Sequence, residues 1–215
     1  MTATPAEERH RICVLLTELA PAGWRAPARE ADFFGGKALL ETLMESARAE
    51  WGLDEGSRPF LHPGRSAVVV SGDGAELGWI GEVHPLVLRE WELAGNAVAF
   101  ELEADALHEL TQGRIATYSD VTSFPAVLQD IAVIVPEDVP AARLDEVVRA
   151  GAGDLLASVR IFDLYHGEQV GEGNKSLALR LEFRAPDRTL TDEEVAARRA
   201  AIEKELETIG GQLRA

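Results

Sequence analysis

Most residues of this sequence that could do chemistry lie in its second half and carry a positive charge or an aromatic ring. Such side chains can contact phosphate groups and stack on a nucleic-acid base. Arg180 and Arg184 occupy polar positions of one alternating run, so they would share a strand face. Cross-strand ion pairs with Glu182 and Asp163 would explain the same spacing without a ligand, and both interpretations remain open. The candidates are Arg160, Tyr165, Lys175, Arg180, Arg184 and Arg188.

Other combinations of reactive residues predict no catalytic site. The segment "GGK" at residues 35–37 lacks the first glycine of a phosphate-binding loop, and Ala38 replaces the Ser or Thr that would hold magnesium. It favours a loop that leads into a helix. Ser66 and Ser71 lie near histidines in the sequence, but no nucleophile-elbow pattern surrounds them. The carboxylates concentrate in helix-like segments, where solvated surface positions explain them.

The histidines do not predict a metal site. His62 and His84 each precede a proline and could combine with Glu82 as ligands. No further ligand occurs at a recognisable spacing, and His before Pro is common in turns. We therefore expect these histidines to belong to turns.

Composition narrows the class of protein. The 215 residues carry a formal charge of −16, whereas a protein that holds nucleic acid with its whole surface needs net positive charge. A local basic patch, or membership of a larger complex, is compatible with this charge. No apolar run approaches the roughly 20 residues of a membrane-spanning helix, and the N-terminal segment lacks the pattern of a secretory signal.

The single cysteine indicates the cellular compartment in which the protein is found. Cys13 cannot form an internal disulfide, which is typical of proteins in the reducing cytoplasm. It lies in the apolar run "ICVLL", so we expect a thiol buried in the core.

The first half of the chain mixes helical and extended patterns. Leu39, Leu43, Ala47 and Trp51 recur at spacings of four, which predicts a helix with these residues inward and Gly52 at its C-terminal end. The run "SAVVVSGDGAELGWIGEVHP" predicts two strands around a turn at "GDG", and "NAVAFELEADAL" predicts a strand followed by a helix. Apolar periodicity lapses over residues 111–120, where we place a linker between domains 1–115 and 119–215.

The second half shows a more regular order of elements. Strand patterns in "LQDIAVIV", "LLASVRIFDLYHG", "SLALRLEF" and the short "QLRA" alternate with helix patterns in "VPAARLDEVVRAGAG" and after "TDEEV". This β-α-β-β-α-β order predicts a ferredoxin-like antiparallel sheet with two helices on one face. The residues expected to face its core from "SLALRLEF" are Leu177, Leu179, Leu181 and Phe183.

The segment "FRAPDRTLTDEEV" links the last long strand to the last helix. Pro186 and Asp187 predict a turn, and Thr191 with Glu194 predicts a capping box at the helix N-terminus. The side chains expected on the inward face of this helix are Val195, Ile202, Leu206 and Ile209.

Six segments carry a resemblance to a known family. In order they are "DFFGGKALLETLM", "LHPGRSA", "GWIGEVHP", "SFPAVLQDIAVIV", "FDLYHGEQVGEGNKSLALRLEF" and "FRAPDRTLTDEEV". They resemble the C-terminal part of the β subunit of bacterial phenylalanine–tRNA ligase, from about Asp32 to Arg214. The resemblance implies an α+β chain: part of a catalytically silent, class II synthetase-like antiparallel-sheet domain, then a ferredoxin-like βαββαβ domain that binds the anticodon.

What the resemblance implies about function follows from the family's enzyme. That enzyme is an α2β2 heterotetramer that uses ATP, magnesium, phenylalanine and its tRNA, with the chemistry on the α subunit. This chain would then hold no catalytic residue, metal or cofactor of its own. Its partners would be the α subunit and the anticodon stem and loop of phenylalanine tRNA, in the cytoplasm and without a membrane. The editing domain and other modules of longer β subunits would be absent from it.

The resemblance also implies individual site residues. Lys175 and Ser176 are similar to the family's "KS" strand start, and Phe124 with Pro125 to an aromatic-proline step. The residues similar to its proline turn are Arg184, Asp187, Arg188 and Thr189. The resulting RNA-binding prediction is Lys175, Arg180, Arg184, Arg188, Arg160, Tyr165 and Phe124. Two segments depart from the family. Leu128-Gln129 replaces the usual basic pair before Asp130, which removes charge where an RNA contact would be expected, and "FFGGK" replaces "FFDLK".

Two further functions remain compatible with the sequence. In the first, the chain is a pure assembly module whose acidic first half docks the α subunit, while the second domain helps to position it without touching RNA. In the second, an independent ferredoxin-like domain senses a small ligand such as an amino acid.

Overall fold

The computed structural model describes residues 8–115 and 124–214, which belong to two compact units, one in each range. The predicted linker at residues 111–120 falls partly outside the described residues, since 116–120 are not among them. Within the described ranges, no helix is long and apolar enough to cross a membrane.

A five-stranded antiparallel sheet forms the centre of the first unit, with strand order β1-β7-β6-β5-β4. The predicted hairpin is confirmed as β5 and β6, and the predicted strand and helix after it are confirmed as β7 and α3. In chain order the elements are β1 (Arg11–Leu16), β2 (Glu18–Ala20), β3 (Arg29–Glu30), α1 (Phe33–Ala47), β4 (Trp51–Glu55), β5 (Leu61–Ser71), β6 (Glu76–Val83), α2 (Pro85–Glu90), β7 (Val98–Glu103) and α3 (Ala104–Thr111).

Helix α1 is shorter than the sequence pattern predicts. Its N-terminus is capped by Asp32, whose carboxylate accepts from the Gly35 N–H at 2.6 Å, so "GGK" lies inside the first turns and not in a preceding loop. The helix ends where Arg48 adopts a left-handed φ of 55°, a common helix stop. The predicted end at Gly52 is therefore wrong, because Trp51 already begins β4.

The most buried face of α1 is shifted from the predicted one. Leu43 and Ala47 pack against the core as predicted but are only partly buried, and Leu39 is 40% exposed. The fully buried positions are Gly36, Leu40 and Met44. The cause lies at Gly36, where an added Cβ would come within 2.7 Å of the Val98 side chain. The missing side chain lets the helix approach β7 closely, which selects this face over the neighbouring apolar one.

Cys13 is exposed, so the prediction of a buried thiol is wrong. Strand β1 lies at the edge of the sheet and alternates, with Ile12 and Val14 packed against the core and Cys13 on the other side. The continuous apolar run "ICVLL" therefore forms a strand that packs only one of its two faces against the core.

The second unit has the predicted β-α-β-β-α-β order. Its antiparallel sheet has strand order β11-β8-β10-β9, which is that of a ferredoxin-like fold. The elements are β8 (Val127–Pro136), α4 (Ala141–Ala152), β9 (Leu156–Tyr165), β10 (Asn174–Phe183), α5 (Asp192–Leu206) and β11 (Gln212–Leu213), with short 3-10 turns at Gly153–Leu155, Glu168–Val170 and Glu207–Ile209.

One core lies between this sheet and the two helices. The predicted inward set of β10 is confirmed, since all four of its side chains are at most 4% exposed. Helix α4 contributes Leu144 and Val148, and α5 contributes Ile202 and Leu206, all fully buried. The helices touch closely at Gly151, where an added Cβ would come within 2.6 Å of the Ile202 Cα.

The predicted capping box of α5 is confirmed. The Thr191 Oγ accepts from the Glu194 N–H at 3.3 Å, and the Glu194 carboxylate accepts from the Thr191 N–H at 3.0 Å. Two backbone donors at the helix start are thereby satisfied. Ile209, predicted to be inward, is only partly buried in the turn after the helix.

Candidate nucleic-acid interface

The sheet of the second unit has one face that α4 and α5 do not cover. Strand alternation defines it: Ile131 and Val133 of β8 point toward the helices, whereas Leu128 and Asp130 point away. We call this side the open face. Its cations and aromatics, described below, come from β8, β9 and β10 and from the residue after β11.

Arg180 lies near the centre of the open face and is already paired. Its Nε and Nη2 donate to the two carboxylate oxygens of Asp130 at 2.8 and 2.7 Å, in the planar arrangement that guanidinium groups favour. These hydrogen bonds hold the pKa of Asp130 below its ordinary value. The Arg180 Cζ also lies 5.5 Å from the centre of the Phe162 ring. The sequence predicted ion pairs with Glu182 and Asp163. The observed partner of Arg180 is instead Asp130 of β8.

Arg160 lies directly opposite Arg180 in the pairing of β9 with β10. It is exposed, and within residues 8–115 and 124–214 no carboxylate pairs with it. Like charges directly opposite each other are destabilising. Arg160 is therefore an unneutralised cation beside the Arg180–Asp130 pair.

A β-bulge brings Tyr165 to the same face as Arg160. In the register of β9 against β10, Asp163 faces Ala178 and Ile161 faces Leu179, so Phe162 is an extra, unpaired residue. In a regular strand, residues five positions apart lie on opposite faces. The bulge shifts the alternation by one residue, which places Tyr165 on the open face.

Arg214 is a residue of this surface that the sequence pattern missed. Its N–H continues the pairing with β8 by donating to the Ala132 carbonyl at 2.8 Å. Its guanidinium lies 5.5 Å from the centre of the Tyr165 ring and donates to Gln169 Oε1. Its place on this surface is visible only from the cation–aromatic contact with Tyr165. In the sequence it is an isolated arginine near the C-terminus, with no pattern that connects it to β9.

Two predicted residues lie near the ends of β10. Arg184 follows the strand and donates to Glu182 of the same strand at 2.8 Å, so this ion pair is not one of the cross-strand pairs considered from the sequence. Its Nε is buried without a partner. Lys175 lies at the start of β10 at an odd position, like inward-facing Leu177, and donates to the Glu137 carbonyl at 2.7 Å. Lys175 and Arg180 therefore share a strand but not a face.

The remaining two predicted residues lie outside the strands. Arg188 belongs to the turn before α5 and pairs with Asp187 at 2.9 Å and with Glu194 at 2.7 Å, next to the capping box. Phe124 precedes β8 and is 36% exposed. The seven predicted residues thus separate into an open-face group, Arg160, Arg180 and Tyr165, with Arg184 at its end, and three residues elsewhere.

The departure at Leu128-Gln129 affects the open face directly. Leu128 lies on that face and is 61% exposed, whereas Gln129 has a buried Oε1 without a hydrogen-bond partner. A basic residue at position 128 would project from the open face. Its replacement by Leu128 lowers the positive charge of the surface and enlarges its apolar part.

The open face carries almost balanced charge. Its cations are Arg160, Arg180 and Arg214 with Arg184 at the end, and its anions are Asp130, Asp163 and Glu182. Such a surface offers phosphate contacts at specific points and no broad basic field. Phe162 and Tyr165, 51% and 38% exposed, add surfaces on which a base can stack.

His62 and His84 serve turns, as predicted. His84 caps α2 by accepting from the Leu86 N–H at 3.1 Å, and His62 Nδ1 accepts from the Gly64 N–H at 3.1 Å. Among the residues that the structure describes, no group of three or more potential ligands is arranged to hold a metal ion.

Comparison with known proteins identifies both halves. Residues 122–214 match the family "Ferredoxin-fold anticodon binding domain", and residues 2–104 match the family "Phenylalanyl tRNA synthetase beta chain CLM domain". The phenylalanine–tRNA ligase β subunit of Symbiobacterium thermophilum is 45% identical over 197 residues, which is 91% of this chain and 22% of that protein. Those of Moorella thermoacetica and Streptomyces avermitilis are 43% and 40% identical, covering 95% and 99% of this chain and 26% of each relative. The chain therefore spans about a quarter of the length of these curated relatives.

Proposed function

Because the chain belongs to the phenylalanyl-tRNA synthetase β chain family and contains a ferredoxin-fold anticodon-binding domain, we propose that it acts as the tRNA-recognition and assembly portion of a phenylalanine–tRNA ligase. The second unit binds the anticodon stem and loop of phenylalanine tRNA. The first unit docks the α subunit in an α2β2 enzyme of the cytoplasm.

One observation carries the RNA-binding part of the proposal. Arg160, Arg180 and Arg214 lie on the open face together with Phe162 and Tyr165, although they come from three different segments of the chain. Guanidinium groups bind phosphate oxygens, and exposed aromatic rings stack on unpaired bases such as those of an anticodon loop. The open face thus combines the two chemistries that recognition of an RNA loop requires.

The catalytic part of the reaction belongs to the rest of the enzyme in this proposal. The described residues offer no triad, acid–base pair or metal cluster. ATP and magnesium would be used by the α subunit, and this chain would raise the rate by holding the tRNA in place.

The test uses the assembled enzyme with open-face arginines removed. The combined change Arg160→Gln, Arg180→Gln and Arg214→Gln should raise the KM for tRNA roughly tenfold or more and flatten its salt dependence. The sequence-based combination of Lys175, Arg180 and Arg184 replaced by alanine should act in the same direction. A matched control, Arg143→Gln, Arg149→Gln and Lys204→Gln, removes three cations from the helices and should leave the KM within about twofold. An unchanged KM in the open-face variant would refute the assignment.

A second function is favoured by the ion pairing of three of the predicted RNA-binding arginines. Arg180, Arg184 and Arg188 all have carboxylate partners, so they would also suit a module that supports assembly without touching RNA. In that case the open-face variant would dissociate more readily into subunits, and tRNA affinity per assembled enzyme would stay the same. Analytical ultracentrifugation of the variant beside tRNA binding separates the two functions.

A further inference from the structure

We propose that a cleft in the first unit binds a small organic anion, with a carboxylate or phosphate group held by arginines and an apolar body against leucines. The cleft has a volume of about 320 Å³, within the range of small-molecule sites. The residues that carry the proposal are His62, Arg65, Glu82, Leu88, Arg89 and Leu93.

An irregularity of β5 builds one wall of the cleft. Leu61 pairs with Val83 and Ser66 with Gly81, so residues 62–65 all stand opposite Glu82 alone. This segment leaves the regular ladder and carries His62 and Arg65 to the rim. Irregular strand pairing of this kind commonly redirects side chains beside a binding site.

Glu82 lies at the base of the cleft and its charge is already balanced. It is 7% exposed, accepts from the Phe33 N–H at 3.2 Å and lies 3.0 Å from Arg65 Nε. A buried carboxylate requires such partners. The two terminal nitrogens of Arg65 have no acceptor among the described residues, and they can hold an oxyanion in a fork.

His62 and Arg89 add further donors to the cleft. His62 Nδ1 accepts a hydrogen bond, so the neutral ring carries its proton on Nε2. Arg89 is exposed and, within the described part of the chain, has no acceptor. Hydrogen-bond donors therefore outnumber acceptors in the cleft. Its one carboxylate, that of Glu82, is neutralised by Arg65. Both properties favour an anionic ligand over a metal ion or an amine.

The remaining walls set the size of the ligand. Leu88 is 8% exposed and packs at the base, and Leu93 stands beside it through the hydrogen bond of its N–H to the Leu88 carbonyl at 2.9 Å. These side chains suit a ring or a short branched chain. The site belongs to the first unit, whereas the open face belongs to the second.

The experiment is a titration of the full, ¹⁵N-labelled chain at constant ionic strength, with inorganic phosphate and separately with benzoate. The amides of Phe33 and Val83 report on the cleft, because the first donates to Glu82 and the second to the Ala97 carbonyl. We expect saturable shifts of both signals. Saturation by phosphate alone would identify a phosphate ligand, and saturation by benzoate alone an apolar carboxylate; either result supports the site.

Three variants establish where the probe binds. Arg89→Gln should weaken binding about three- to fivefold, because one exposed charge contact is lost. Glu82→Gln should strengthen it, since the amide still accepts from Phe33 while Arg65 is released from its anion. Arg25→Gln removes a charge that lies over the Trp24 ring, outside the cleft, and should change nothing. The proposal fails if neither probe gives saturable shifts, or if Arg25→Gln weakens binding as much as Arg89→Gln.

Discussion

The guanidinium of Arg180 and the carboxylate of Asp130 form a two-point hydrogen-bonded pair across β10 and β8, with distances of 2.8 and 2.7 Å. The arginine at the centre of the open face is therefore already paired. If the open face binds RNA as we propose, a phosphate bound by Arg180 must replace Asp130 as its anionic partner, and breaking that pair offsets part of the attraction. Asp130 would then lower the affinity for RNA, because it competes with the phosphate for the arginine.

The exchange predicts that Asp130→Asn tightens tRNA binding. The amide leaves Arg180 with a neutral partner and removes one negative charge from the open face, and we expect affinity to rise about two- to fivefold. Equilibrium binding of tRNA to the assembled enzyme at two salt concentrations measures it. Asp145→Asn is the control, because Asp145 pairs with Arg149 on α4 at 2.6 Å. Unchanged or weaker binding in Asp130→Asn would show that RNA does not use Arg180.

The capping box of α5 predicts a pH-dependent stability. The Thr191 N–H, and after it Arg188, hold the pKa of Glu194 below its ordinary value. A lowered pKa in the folded state contributes stability that is present above the ordinary value, about 4.3, and is lost as the pH falls through the folded value. Glu194→Gln keeps the cap but not the charge. Its melting temperature should be lower at pH 7 by about 2 °C or less.

The difference in melting temperature between Glu194→Gln and wild type should shrink as the pH falls below about 4.3, because the wild-type carboxyl then becomes protonated as well. Thermal scans at pH 7, 5 and 3 measure it. Glu203→Gln, on an exposed part of the same helix, should show no such convergence. A difference that grows in acid would contradict the role given to Glu194.

The close contact between α4 and α5 predicts that Gly151→Ala destabilises the second unit. Ala favours a helix over Gly by about 1 kcal/mol. The added Cβ would come within 2.6 Å of the Ile202 Cα and 2.9 Å of its N, and backbone cannot move aside without separating the helices. Overpacking of this kind costs about 1–3 kcal/mol or more and should prevail over the propensity.

Urea unfolding followed by circular dichroism measures the effect of Gly151→Ala. The matched change Gly23→Ala meets no atom within 4 Å and should shift stability by about 0.5 kcal/mol or less. Equal effects of the two substitutions would show that the helices yield easily.

The surroundings of the Cys13 thiol predict that it reacts slowly but measurably with alkylating agents. Partial desolvation raises the pKa of this thiol, and the Glu101 carboxylate, 3.4 Å from its Sγ, raises it further. Since the thiolate is the reactive form, alkylation at pH 7 should be slow for an exposed cysteine. Glu101→Gln should accelerate it about threefold, whereas Glu103→Gln, which leaves the hydrogen bond intact, should not. Iodoacetamide labelling followed by mass spectrometry gives both rates.

The sequence predicted the elements of the second unit because its local signals agree with one another. The alternation of β10 and the Thr191–Glu194 box are local patterns, and each was confirmed. The partner of Arg180 was not predictable, because alternation fixes the face of a residue but not the strand beside it. The most buried positions of α1 were missed for a similar reason, since they depend on the contact of Gly36 with Val98.

The pattern of a single strand does not show which candidate residues share a surface, because that depends on how the strands pair. Lys175 appeared to join Arg180 because both lie in one run, yet odd and even positions diverge. Arg214 joined the surface only through pairing with β8. Sequence spacing thus supplied candidates, and strand register decided which of them meet.

The extra residue in β9 determines how a change in the length of that strand would act on the open face. Ile161 faces Leu179 and Asp163 faces Ala178, which are neighbours in β10, so removing Phe162 alone would make the ladder regular and leave Tyr165 on the open face. Removing a second residue would exchange the facing of everything after it, so that Tyr165 would turn toward the helices and Leu164 toward the open face. The bulge therefore allows β9 to lose one residue, but not two, without moving Tyr165 from the open face.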